Sequence, residues 1–230
     1  MDLLEQHASV LFDLDGVGDL LVINEPDGGP APRVFLARGR ESARLWVRAG
    51  MPRRTAQAAR GWVGQLAPWD GQPSPASDHA GLRSLLADDG PLTVESAGPA
   101  YLFDEAVVPP AIAEAELIDR QSANLLDRHF PYTRSVLAAR TPVLVVVRDG
   151  AAVSACFTAR RRGVACEAGV ATEDAYRGQG LGTAVVAAWR DAVRASGGTP
   201  LYSTSWDNLA SRGVAARLRL IPYAETLSLG

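Results

Sequence analysis

The stretch EAGVATEDAYRGQGLGTAVVAAW, Glu167–Trp189, decides the reading of this 230-residue chain. It opens as a strand, turns, and resumes as a helix. Gly178, Gly180 and Gly182 alternate where the helix begins, and small packing residues follow at Ala184, Ala187 and Ala188. Glycine lets backbone N–H groups approach an anion closely, and a helix N-terminus adds partial positive charge. The stretch therefore reads as a cradle for a diphosphate. Its spacing is neither the GxGxxG of dinucleotide-binding turns nor the GxxxxGK of a P-loop. What it contains is Arg-x-x-Gly-x-Gly, at Arg177, Gly180 and Gly182.

That pattern resembles the GNAT superfamily of N-acetyltransferases, in which this loop binds the diphosphate of acetyl-CoA. The resemblance implies that Arg177, Gly178, Gln179, Gly180, Leu181, Gly182 and Thr183 form the diphosphate site. It also implies that Val170, Ala171 and Thr172, which end the preceding strand, hold the pantetheine arm through their backbone, like a short added strand. Downstream, PLYSTSWDNLASRGVAARL carries Asn-x-x-Ser-x-x-Val at Asn208, Ser211 and Val214, which is similar to the family's second motif. There Asn208 would help hold the pantetheine; it is equally suited to cap the helix that follows. Ser211 reads as a structural residue or an outer contact to CoA. The resemblance covers about residues 92–230 and is densest from Val143 onward.

The implied activity is transfer of an acetyl group from acetyl-CoA to an amine of a small molecule or peptide, by direct attack. Many relatives place a proton-donating Tyr seven residues after the Asn; this chain has Ala215 there. A second reading is therefore an acyl-CoA-binding module without catalysis. A primary amine with a pKa of about 10.4 is almost wholly protonated at pH 7, so a base or a proton-conducting water is needed. Glu167, which begins the strand leading to Val170, is the candidate catalytic base; a structural or substrate-positioning carboxylate is the competing role. In a regular strand Glu167 and Val170 face opposite sides, and a bulge at Gly169 would realign them. Tyr176, Tyr202, Ser203 and Ser205 are candidate acids with no ranking among them.

Composition narrows the function classes. The formal charge is −3, and the chain is 47% hydrophobic and 21% charged, which excludes a disordered chain and argues against general attraction to nucleic acid or an anionic membrane. All 23 basic residues are Arg, which reads as a coding bias and excludes a Schiff-base or P-loop Lys. The three His are scattered, and no CxxC or HExxH occurs, so no metal site is expected. Cys156 and Cys166 read as small buried hydrophobes on adjacent strands, near each other across the pair. No apolar run approaches the roughly 18 residues of a membrane span. The opening MDLLEQHASV lacks a basic leader and cleavage site, so the expected location is the cytoplasm. Oligomeric state is not legible.

The expected fold is mixed α/β (α+β): a mostly antiparallel GNAT-like sheet flanked by helices, with an additional N-terminal α+β region. The division is placed at residues 1–90 and 91–230, after the stop signal Asp88-Asp89-Gly90-Pro91. In the first part, Val10–Leu14 and Val17–Ile23 read as a hairpin about Asp15-Gly16, followed by strands at Arg33–Ala37 and Ala43–Val47. Helices are expected from Pro52 to Leu66 and over Leu82–Ala87, separated by the Pro- and Ser-rich loop APWDGQPSPASDHAG. In the second part, Leu92–Glu95 and Tyr101–Phe103 are short strands and Ala111–Arg128 an amphipathic helix. Strands are expected at Val143–Arg148, Ala151–Ala159 and Val164–Thr172, with a turn at Arg160–Gly163. A helix at Gly180–Ala195, a strand at Leu201–Ser205, a helix at Asn208–Leu218 and strands at Ile221–Tyr223 and Thr226–Leu229 complete it.

The run VLFDLDGVGD, Val10–Asp19, also matches the opening of haloacid-dehalogenase-like phosphatases, with Asp13 as nucleophile and Asp15 as acid/base. That fold needs a basic residue and a distal acidic pair about magnesium. The chain has no Lys, and its Asp88-Asp89 pair precedes a Gly-Pro stop. A hairpin turn accounts for everything observed there.

Overall fold

The computed structural model describes residues 2–93, 95–104 and 114–230. In chain order its elements are α1 (Leu3–Leu11), β1 (Phe12–Leu14), β2 (Leu20–Ile23), β3 (Val34–Gly39), β4 (Ala43–Val47), α2 (Arg53–Trp62), α3 (Ala80–Ala87) and β5 (Glu95–Leu102). Then come β6 (Glu116–Leu117), α4 (Pro131–Ser135), α5 (Leu137–Arg140), β7 (Val143–Arg148), β8 (Ala151–Arg162) and β9 (Ala165–Thr172). The chain ends with α6 (Leu181–Ala195), β10 (Thr199–Ser203), α7 (Leu209–Arg217) and β11 (Ile221–Leu229). This is a mixed α/β fold, its strands mostly antiparallel and flanked by helices.

The chain divides into two compact units that interleave in sequence. One comprises Met1–Tyr101, Ser203–Asn208 and Pro222–Gly230; the other comprises Leu102–Tyr202 and Leu209–Ile221. These units do not follow a linear division at residue 90. The reason is the last strand: β11 pairs antiparallel with β3, from Ala224 opposite Gly39 to Leu229 opposite Val34, so the C-terminus belongs with the first part of the chain.

In the first unit α1 buries Leu4, Ala8 and Leu11, a spacing of one helical face, against Phe35 of β3. The sequence reading assigned Val10 and Leu11 to a strand; they close this helix instead. The hairpin β1–β2 forms as expected, but its loop runs from Asp15 to Asp19. The Asp15 carboxylate accepts from the N–H groups of Val17 and Asp19, each at 2.9 Å, and Gly18 takes a positive φ of 89°. A side chain so occupied is a turn residue, which fits the hairpin reading of Val10–Asp19. Below the other face of β3 and β11, Ala56 and Ala59 of α2 and Leu82 and Leu86 of α3 pack on Val34, Leu36, Leu227 and Leu229.

The Pro- and Ser-rich loop between α2 and α3 is tied down. Arg38 donates to the Ala67 carbonyl at 2.7 Å and to Ser74 Oγ at 2.8 Å. The Glu225 carboxylate accepts from the Ser74 N–H and from Trp206 Nε1, each at 2.8 Å, and also bonds the Ser74 hydroxyl. Arg38 and Glu225 are both buried, so the charges are held by hydrogen bonds rather than by water.

In the second unit the strands lie in the order β10-β9-β8-β7-β6, with β10 parallel to β9 and the other pairs antiparallel. Helix α6 covers one face, packing on β7, β8 and β9. Its Trp189 is fully buried and donates from Nε1 to Thr158 Oγ1 at 3.2 Å. Leu126 and Phe130 pack on Val143, Val145, Ala152 and Ala155 in a second cluster. The helix expected over Ala111–Arg128 is not present in its described part; residues 111–113 lie outside the described residues. There Asp119 accepts from the N–H groups of Gln121 and Ser122, which starts a turn where the helix would have continued. Strand β8 runs on to Arg162, so the hairpin tip is Gly163-Val164 rather than Arg160–Gly163. Cys156 lies opposite Val170 and Cys166 opposite Arg161, so the two cysteines are not cross-strand neighbours.

Candidate functional site

The second unit builds a site from β9, the turn after it, and α6. Strand β9 ends at Thr172, a short 3-10 turn follows at Asp174–Tyr176, and Gly178 and Gly180 adopt φ values of 77° and 79°. That left-handed conformation explains glycine at both positions. Gly180 is the N-cap of the 15-residue α6, and no side chain caps it. The first intrahelical bond runs from the Ala184 N–H to the Gly180 carbonyl at 3.2 Å. The helix therefore makes no use of the N–H groups of Leu181, Gly182 and Thr183. No acidic residue lies in its first turn, so its partial positive charge is not offset locally. Thr183 Oγ1 is buried without a hydrogen-bond partner among the described residues. An uncapped helix start with left-handed glycines has the geometry suited to an anion.

Gly182 lies where three elements meet. A Cβ on it would stand 3.5 Å from Val214, 3.6 Å from Thr172 Oγ1 and 3.9 Å from Val170. The structure thus brings together Val170, Thr172, the glycine turn and Val214 of α7. Arg177 is exposed and folded back, with its Nε on the Thr172 carbonyl at 3.2 Å and its guanidinium 2.6 Å from Asp174. Gln179 is exposed, and Leu181 is buried as the helix's anchor.

Strands β9 and β10 part within this site. Their parallel register runs from Ala165 opposite Thr199 to Glu167 opposite Leu201 and stops there. Ala168 to Thr172 continue without a β10 partner in that register, while β8 pairs with them on the other side. The freed edge of β9 carries Val170, Ala171 and Thr172. Such an edge offers backbone N–H and C=O groups to an extended ligand.

Glu167 stands at the fork, as the last residue of β9 paired with β10. It is 2% exposed and lies opposite Arg160 on β8. The expected bulge at Gly169 is absent: Gly169 pairs regularly with Phe157, and the extra residue is Ala159 on β8. Glu167 therefore shares its face of β9 with Gly169 and Ala171, opposite Val170 and Thr172. Ser211 is held by Tyr202, whose hydroxyl lies 2.7 Å from Ser211 Oγ. Asn208 falls in the other unit, exposed, with its N–H on the Ser205 carbonyl at 3.2 Å. Ala215 is buried.

Two features escaped sequence reasoning. The fork between β9 and β10 depends on which strands pair and for how long, which no local motif encodes. Arg140, buried on the same side of the sheet as Phe157, reads in sequence as an ordinary cation at a helix end. The described residues contain no group of three or more His, Cys, Asp or Glu arranged to hold a metal ion. No described helix is long and apolar enough to cross a membrane.

Residues 111–219 match the model of the Acetyltransferase (GNAT) family. No curated protein matches the chain. Among solved structures, a GCN5-related N-acetyltransferase-like protein from Streptococcus suis 89/1591 aligns with a TM-score of 0.51 and 18% identity, over 88% of this chain and 85% of its own. A GCN5-related N-acetyltransferase from Sphaerobacter thermophilus gives 0.51 and 18%, over 91% and 79%. A GNAT-family acetyltransferase from Colwellia psychrerythraea gives 0.51 and 10%, over 81% and 75%. At these identities the structures speak for the fold, and the family match speaks for the segment that contains the fork and the glycine turn: residues 111–219 carry the GNAT acetyltransferase domain.

Proposed function

We propose that the protein is an N-acetyltransferase that takes its acetyl group from acetyl-CoA and gives it to an amine. The observation that carries this reading is the uncapped start of α6 beside the freed edge of β9. The residues present fit the co-substrate: the N–H groups of Leu181, Gly182 and Thr183 suit a diphosphate, and the edge at Val170–Thr172 suits the amide groups of a pantetheine arm. Gly178, Gln179, Gly180 and Arg177 frame that turn, and Ser211 is proposed as an outer contact. Acetyl-CoA, when bound, supplies an activated acetyl thioester.

Direct attack by the amine suits the chain's own chemistry. Cys156 is fully buried, and its thiol is pushed well above the usual range by burial. Burial also raises the Cys166 thiol. Neither is an activated nucleophile, because the thiolate is the reactive form. In the proposed reaction the acceptor nitrogen forms a C–N bond as the thioester C–S bond breaks. Glu167 at the fork accepts the proton that the amine sheds, and the departing sulfur is protonated from solvent. Two free buried cysteines accord with a reducing, cytoplasmic setting.

A binding module without catalysis is the second reading, favoured by the buried Ala215 where many relatives carry a Tyr. Incubation of acetyl-CoA with a panel of primary amines separates the two. The enzyme releases free thiol in proportion to acetylated amine, whereas the module binds CoA and releases none. With an active amine, Glu167→Gln should lose most rate near neutral pH and least in alkali, where free amine is abundant. A profile scaled down equally at every pH would assign Glu167 a positioning role.

A further inference from the structure

Arg140 is 5% exposed, yet among the described residues it makes no ion pair and its Nε has no hydrogen-bond partner. Its contacts are aromatic. The guanidinium carbon lies 4.3 Å from the Phe157 ring centre and 4.9 Å from that of Tyr132. A buried charge without a counter-ion is costly, and cation–π contacts offset only part of that cost. With both rings packed on its carbon and its Nε unpaired, the guanidinium keeps N–H groups able to bind. That planar fork matches a carboxylate through two parallel hydrogen bonds.

The surroundings indicate which ligand would bring the carboxylate. The Phe157 ring lies across Gly169, so Arg140 is on the side of the sheet that Glu167 and Gly169 face. Val170 and Thr172, which meet the glycine turn, are on the other side. The diphosphate cradle and Arg140 thus serve opposite faces of β9. Glu167 and Gly169 are two residues apart along the strand, about 7 Å. Further positive charge lies close by: Arg161 donates to the carbonyl of Thr141, which follows Arg140, at 2.7 Å, and Arg160 is opposite Glu167.

We infer that Arg140 recognises a carboxylate on the acceptor, so that the amine substrate is an amino acid or a similar molecule carrying both groups. This rests on the acetyltransferase reading and narrows it. Tyr132 and Phe157 pack on the guanidinium, Arg140 takes the carboxylate, and the amine is left toward the fork at Glu167.

The test uses the full chain saturated with CoA and follows its thermal unfolding with paired probes. These are the α-amino acids against their decarboxylated amines, β-alanine against ethylamine, and 4-aminobutyrate against propylamine. At a concentration about tenfold above Kd, a carboxylate-bearing member should raise Tm by about 3 °C and its partner should not. Arg140→Met removes the charge but keeps the bulk; it should erase that difference, leave CoA affinity unchanged, and melt no lower than the parent. Arg140→Lys keeps the charge without the fork and should retain part of the preference. Equal shifts within every pair, no shift with any, or a preference that survives in Arg140→Met would each overturn the inference. So would CoA affinity falling in Arg140→Met, which would make a phosphate of CoA the anion. Failure of the parent protein to bind CoA, or to release thiol with any amine, would instead overturn the acetyltransferase reading.

Discussion

Phe157 occupies the space that a side chain at residue 169 would need: a Cβ on Gly169 would overlap three carbons of the ring. The two residues face each other across β8 and β9, and the ring also contacts Arg140, whose guanidinium carbon lies 4.3 Å from its centre. Gly169 is therefore kept small by a neighbour, not by backbone torsion. Gly169→Ala should push the ring off its place and destabilise the protein by about 1–3 kcal/mol, the usual cost of overpacking. Denaturant unfolding measures it. An unchanged midpoint would mean that the ring can move freely, and Arg140 with it.

The glycine turn makes a separate demand. Gly180 combines a φ of 79° with the N-cap position of a helix whose first N–H groups are unused. Gly180→Glu would bring both backbone strain and a carboxylate to the place where phosphate is proposed to bind. Gly180→Asn controls for the strain, since Asn tolerates left-handed φ without adding charge. Calorimetry should show CoA affinity falling about tenfold or more in the Glu variant and much less in the Asn variant. Equal losses would attribute the effect to backbone strain alone.

The second half of the chain was nearly legible because its signals are local. The strands at 143–172, the turn and α6 are each fixed by apolar runs, Asp149-Gly150 and the alternate glycines, and they fall within a few residues of expectation. Legibility failed where the deciding contact lies far away in sequence. The segment Ser96-Ala97-Gly98-Pro99 looks like a break between two short strands. It is continuous within β5 because Gly98 lets the backbone of Thr204 pass at close range, and a Cβ there would overlap the Thr204 carbonyl. Ala224-Glu225 likewise reads as a break between two short strands, yet Ile221–Leu229 is one strand held by β3. At the candidate site, the role of Glu167 is a proposal, whereas the glycine turn was readable from residue types. The fork was not, since it depends on where β10 stops pairing, and neither was the bulge, which Ala159 provides on the partner strand.

His79 gives the first unit a pH-dependent stability. Its ring is 3% exposed, Nε2 has no hydrogen-bond partner among the described residues, and burial lowers its pKa from the ordinary value. Glu225 and Asp78 act to raise it, and Arg83 and Arg38 to lower it. The folded protein thus binds fewer protons here than the unfolded chain once pH falls below about 6.5. Stability from this site is full above that pH and declines as pH drops through it. The depressed carboxylates of Asp2, Asp15, Glu95 and Asp119 lose their contributions only at lower pH. Between pH 7 and 5, His79→Leu should therefore show a shallower loss of unfolding free energy than the parent. Parallel slopes would exclude His79 as the source.

The interleaving of the units predicts how the chain responds to being cut. Removing residues 1–90 takes away β3, which pairs with β11 along six residues, and with it α2 and α3. Leu227 and Leu229, both buried against Val34, Leu36, Leu82 and Leu86, would then face water. Each buried Leu is worth about 1.5–3 kcal/mol relative to exposure, and the bared strand edge would invite pairing between chains. A fragment spanning residues 92–230 should therefore aggregate, or unfold without a cooperative transition, even though it contains the whole GNAT-matching segment. Replacing Leu227 and Leu229 by Ser in that fragment should relieve aggregation without restoring cooperativity, because the missing partner is a strand rather than a patch. Light scattering and thermal unfolding of both fragments measure this. A soluble 92–230 fragment that melts like the full chain would mean that β11 does not depend on β3.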